Sequence, residues 1–166
     1  MQPTPPLPPW IQPGPPGQPR PSGRCFAIGL ATIGLGLYVW TYRVHKEMKA
    51  HSGQGVGGGI AVVIMLAASL VMPFLTSAEV GGLYKRRGLP EPVRALTGLW
   101  VLVPALAGYL LAVAGALAVA LLVPEAGSGP VIVGALVAYL ALLLPCTWVW
   151  FWRTNEALNR YWQQLA

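Results

Sequence analysis

The side chains able to do chemistry are few, and their spacing is poor for it. His45, Glu47 and His51 are the densest group of nitrogen and oxygen donors in the chain. A metal site needs three or four donors converging on one point. These three sit in a short charged stretch, residues 43–51, that reads as a helical turn or two leading into a solvated loop, so no metal is expected. Cys25 and Cys146 have neither CxxC nor Cys/His spacing and predict no structural disulfide. The glycine cluster at residues 53–59 lacks the Lys and Ser or Thr of a phosphate loop and predicts a flexible connection. With no Ser/His/Asp or Cys/His set and no carboxylate pair placed for acid-base work, no catalytic residue and no cofactor are expected.

What remains is pairing and docking. Arg24 opens the first apolar run and Glu79 closes the second, which makes them a candidate ion pair if those two helices are antiparallel neighbours. Residues 1–23 carry a proline density that favours extended polyproline II over helix or strand. Within this tail Pro3, Pro6 and Pro9 have PxxP spacing beside Trp10, a candidate docking segment for a protein partner. The plainer reading is a solvated, semi-rigid spacer.

The elements that must position these residues are apolar. The chain has 166 residues, 55% hydrophobic and only 10% charged, with a mean hydropathy of +0.57. A soluble domain carries about 25% charged residues. Residues 95–124 hold no charge, and at about 1.5 Å per residue they exceed the hydrocarbon core of about 30 Å. Three further apolar runs complete an all-α integral membrane fold with spans at about 25–42, 56–78, 96–123 and 131–152. An amphipathic helix at 153–166 should lie in the interface plane, with Ala157, Leu158, Tyr161, Trp162 and Leu165 on its apolar face and Asn155 and Asn159 among its polar residues. The expected organisation is a disordered proline-rich tail, residues 1–23, and a four-span membrane domain, residues 24–166. No cleavable signal peptide is visible, so the first span should serve as targeting signal.

Trp40, Tyr42, Trp148, Trp150, Trp152 and Trp162 crowd the ends of these runs, where amphipathic rings anchor helices at the headgroup level. Gly108, Ala112, Ala116 and Ala120 recur every fourth residue and form a small-residue seam on which another helix can pack closely. Packing against another span is the favoured reading. A homo-oligomer face is the other.

Net charge is +6, and the basic residues cluster near the ends of the apolar runs. That is a topology pattern rather than a nucleic-acid footprint. With four spans, Arg20, Arg24, Lys85, Arg86, Arg87, Arg94, Arg153 and Arg160 share one side, and Arg43, Lys46 and Lys49 take the other. Eight against three puts both termini in the cytoplasm. A first run that failed to span would change the count to five against six.

Arg24, Thr32, Gly34, Trp40, Tyr42, Arg43 and Glu47, together with the terminal Leu158, Asn159 and Trp162, resemble the uncharacterised bacterial membrane family catalogued as domain of unknown function 4234. The resemblance covers about residues 23–163. Gly36 stands where that family usually has an aromatic. It implies a small multi-span bacterial protein with no established activity. Because no catalytic set is placed for chemistry, the expected function is non-catalytic scaffolding or partner recruitment at the bacterial inner membrane, in contact with the lipid bilayer. The alternative is a small oligomeric transporter or channel; transport of ions or charged solutes usually needs an ionisable group facing the bundle interior, and these spans are uncharged, with Glu79 at an edge.

Overall fold

The computed structural model describes residues 14–122 and 128–165. Pro3, Pro6, Pro9 and Trp10 lie outside the described residues, as does the side chain of Ala120. Six helices account for most of the described chain: α1 (Ser22–Ala31), α2 (Leu35–Ser52), α3 (Gly58–Ala67), α4 (Met72–Arg86), α5 (Leu99–Leu122) and α6 (Ser128–Gln163). No strand occurs among the described residues.

Among the described residues two helices are long and apolar enough to cross a membrane, not four. The expected spans at 25–42 and 56–78 are each broken. In the first, Thr32 stops α1 by donating its hydroxyl to the Ile28 carbonyl at 2.7 Å while accepting the Gly36 N–H at 2.7 Å. Ile33 and Gly34 then adopt positive φ, 51° and 91°, and the chain doubles back. Leu37 packs on Gly29, where a Cβ would come within 2.9 Å of it, so α1 and α2 close as a tight helical hairpin. At ten residues α1 is about 15 Å long, half the hydrocarbon thickness. In the second, the 3-10 turn Ser69–Val71 separates α3 from α4, and Pro73 sits in the first turn of α4, where its missing N–H costs nothing.

The last two elements also differ from expectation. The fourth span and the amphipathic helix are one continuous helix of 36 residues, about 54 Å long. No breaker stands after Trp152, and the apolar face at Ala157, Leu158, Tyr161 and Trp162 is buried against protein rather than lipid. Asn155 and Asn159 are buried with it.

The molecule has two parts built on α6. Its first half pairs antiparallel with α5, with Gly108 seated on the Tyr139 ring. Along α5, Val101, Ala105, Gly108, Ala112 and Ala116 are less exposed than Val103, Leu106, Leu110, Val113 and Leu117. The small residues of the seam thus face inward, toward α6. Its second half is the axis of a bundle with α1, α2 and α4, whose core holds Phe26, Trp40, Val44, Phe151, Leu158 and Trp162.

Among the described residues, charge is confined to this second part. Arg20 bonds Glu47 and Asn159, Arg43 and Lys46 line the same cleft as Arg20, and Lys49 covers Gly57. Arg87 lies over the Tyr161 ring, and Arg94 pairs with Glu91. Arg43, Lys46 and Lys49 therefore stand at the same end of the fold as Arg20. Residues 99–152 contain Glu125 as their one charged residue.

Candidate functional site

The bundle end holds a set of buried polar side chains on α1, α2, α4 and α6. His45, fully buried, reaches Glu79 Oε2 from Nδ1 at 2.9 Å and Thr76 Oγ1 from Nε2 at 3.0 Å. Thr76 and Glu79 are three residues apart on α4 and so share a face toward α2. The other oxygen of Glu79 accepts the Val56 N–H at 2.9 Å, which fixes the turn between α2 and α3.

Asn155 is the hub on α6. Its Oδ1 accepts the Trp40 Nε1–H at 2.9 Å, and its Nδ2 donates to the Arg20 carbonyl and to Ser22 Oγ, each at 2.8 Å. One turn on, Asn159 accepts the Arg20 N–H and donates to the Arg20 carbonyl. The two asparagines thus hold residues 14–20, part of the expected tail, as a non-helical strap against α2 and α6. The strap is fixed again where His51 contacts the Gly14 carbonyl at 2.7 Å and Tyr161 Oη at 3.2 Å. Tyr84 donates its hydroxyl to the Ala157 carbonyl at 2.7 Å. Burial pushes this phenol above its ordinary range, against the opposing pull of Arg160, so it stays a neutral donor. Of the buried side-chain polar atoms among the described residues, Trp162 Nε1 is without a hydrogen-bond partner.

Thr76, His45 and Glu79 have the order of a hydroxyl, a base and an orienting carboxylate. A cavity of about 120 Å³ lies beside Thr76, lined mainly by apolar groups with Thr41, Ser69 and Thr147. Acyl transfer needs donors aimed at a developing oxyanion. No charged side chain lines the cavity, and its two indole N–H groups are committed, Trp40 to Asn155 and Trp150 to Ser77 and the Pro73 carbonyl. The arrangement is equipped to clamp α2 to α4.

The expected site residues are placed differently. Glu79 pairs with His45, and Arg24 is exposed and forms no ion pair among the described residues. The candidate donors diverge: His45 turns to Glu79, His51 to Gly14 and Tyr161, and Glu47 to Arg20. Among the described residues no group of three metal-binding side chains converges. Three of the six expected interface anchors are core residues: Trp40, Trp150 and Trp162 are buried on the inner faces of α2 and α6. Tyr42 and Trp152 are exposed, and Trp148 packs edge-on to Phe26 with ring centroids 4.4 Å apart. Spacing could have found part of the network, since Thr76 and Glu79 are polar at i, i+3 and Asn155 and Asn159 at i, i+4.

Fold and site together define an all-helical protein with an apolar helical hairpin and a hydrogen-bonded, charge-bearing bundle at one end. No family model, no curated protein and no solved structure matches the chain.

Proposed function

We propose that the chain is a small non-catalytic integral membrane protein that scaffolds or recruits a partner at the bacterial inner membrane. The α5/α6 hairpin crosses the bilayer. The α1–α2 hairpin and α3, packed on α2, dip into it from one side without crossing, and their exposed Ile33, Leu35, Val63 and Leu66 meet lipid.

The observation that carries this reading is the partition of charge: all eleven basic residues belong to the bundle end, while α5 and the first half of α6 expose Leu and Val. Positive charge marks the cytoplasmic side. Gly14 and the end of α6 both lie at that end, and on this reading both termini are cytoplasmic. Transport of ions or charged solutes usually uses an ionisable group at mid-membrane depth, and the described residues of the hairpin hold no Asp, Glu, Lys, Arg or His there, which favours scaffolding over that alternative.

The test removes residues 2–12 and keeps the strap. The truncated chain should insert and unfold in detergent like the full chain, yet lose the proteins that co-purify with it from membranes. Trp10→Ala should weaken the same capture. An identical set of co-purified proteins with and without these residues removes recruitment by the tail.

A further inference from the structure

We propose that the cleft between α2 and the strap binds the phosphate of an anionic phospholipid, with one acyl chain laid along α2. The proposal rests on the membrane placement above. The cleft, about 360 Å³, is lined by Gln18, Arg20, Tyr42, Arg43, Lys46 and Glu47, together with Ala50. Three cations thus face one carboxylate, and that carboxylate is spent. Glu47 takes both guanidinium arms of Arg20 as well as the Gln18 N–H. Arg20 is fixed further by donating to the Gln18 carbonyl at 3.0 Å. Arg43 and Lys46, both exposed, make no ion pair among the described residues, and Lys46 Nζ stands 5.9 Å from the centre of the Tyr42 ring. The cleft therefore presents uncompensated positive charge around a preorganised wall, which suits a phosphate.

The surface leading to the cleft selects a lipid over a soluble anion. Leu35, Val39 and Tyr42 are spaced i, i+4 and i+7 and expose 69%, 51% and 42% of their surface, and Lys46 follows on the same face. Along this stripe the side chains change from aliphatic to aromatic to cationic, the order that a lipid presents from chain to glycerol to phosphate. Leu35 and Lys46 are eleven residues apart, about 16 Å along the helix, close to half of the hydrocarbon thickness of about 30 Å. A soluble phosphate would have no use for the stripe.

The test is native mass spectrometry of the full chain from micelles holding equal amounts of phosphatidylglycerol and phosphatidylcholine. Phosphatidylglycerol should be retained selectively. A double variant, Arg43→Gln with Lys46→Gln, should hold it about thirty-fold more weakly, since each cation near a membrane surface contributes about fivefold. Lys85→Gln with Arg86→Gln removes equal charge from the same end and should leave retention unchanged. Leu35→Ser with Val39→Ser should weaken retention while both cations remain. All these positions except Lys85 and Arg86 lie on one exposed face of α2, so unchanged helicity by circular dichroism is expected throughout. Equal retention of the two lipids, equal loss in both charge variants, or full displacement by millimolar inorganic phosphate would overturn the lipid site. Resistance to alkaline extraction from membranes, measured in parallel, separates this result from the membrane reading. An inserted chain that does not discriminate lipids sinks the lipid site alone, and a chain that is extracted sinks both.

Discussion

His45 Nδ1 lies 2.9 Å from the Glu79 carboxylate with no exposed surface on the imidazole, and this contact joins α2 to α4 at the charged end of the molecule. Neither partner has a substitute: the far ring nitrogen is occupied by Thr76 and the far carboxylate oxygen by the Val56 N–H. Removing one side leaves the other buried and short of a partner, at about 1–3 kcal/mol. His45→Ala and Glu79→Ala should therefore each lower the detergent unfolding midpoint, and the double variant should cost less than their sum. Coupling of about 0.5–3 kcal/mol is expected from a double-mutant cycle. Arg24→Ala combined with Glu79→Ala should be additive, because these residues do not pair.

Gly17 is needed where the strap crosses α6. A Cβ there would lie 2.6 Å from Trp162 Cε2 and 2.7 Å from Glu47 Oε2, and Trp162 is locked in the core. Gly17→Ala should lift residues 14–20 from their seat. Hydrogen exchange reads this at one amide, the Arg20 N–H, which bonds Asn159 Oδ1 at 2.8 Å. Its protection should fall in Gly17→Ala, while amides in α5 keep theirs. Unchanged protection at Arg20 would show that the strap tolerates the methyl group.

What could be read from the sequence was decided by period and by length. The α5 helix was legible because an uncharged run of that length has one reading in a bilayer, and its small-residue seam follows from spacing alone. The break in the first run was not legible. Apolar composition continues through Thr32, Ile33 and Gly34, and what stops the helix is one hydroxyl serving two backbone groups. The aromatic residues misled for a related reason: an indole suits an interface and a hydrogen-bonded core equally well. Trp40 and Trp150 found Asn155 and Ser77 as partners only through contacts more than seventy residues away in sequence. His45 and Glu79 are 34 residues apart, so no local pattern joins them.

Gly34 gives a prediction whose sign separates a broken first run from a continuous one. In a continuous helix Gly→Ala stabilises by about 1 kcal/mol. At φ 91° an added Cβ strains the backbone, at about 1–2 kcal/mol. Gly34→Ala should therefore lower the unfolding midpoint, and Ile33→Gly should raise it by relieving a β-branched residue at φ 51°. A rise in Gly34→Ala would restore a single helix through residues 25–42.

The placement of Gln54 decides how many times the chain crosses. This exposed residue lies between Gly53, which ends α2, and Val56, which is held by Glu79, so it belongs to the end that carries the basic residues. Gly129, at the start of α6, lies at the far end of the apolar hairpin with open space around it. In a background with Cys25 and Cys146 replaced by Ala, a cysteine at Gly129 should react with an impermeant thiol reagent in intact cells. Cysteines at Gln54 and Gln164 should react only after the membrane is permeabilised. Four spans would put Gln54 outside with Gly129, so reaction at both in intact cells would reinstate them and return Arg43, Lys46 and Lys49 to the outer side. Reaction at Gly129 alone leaves one crossing hairpin with every basic residue inside, which is where the positive-inside rule places them.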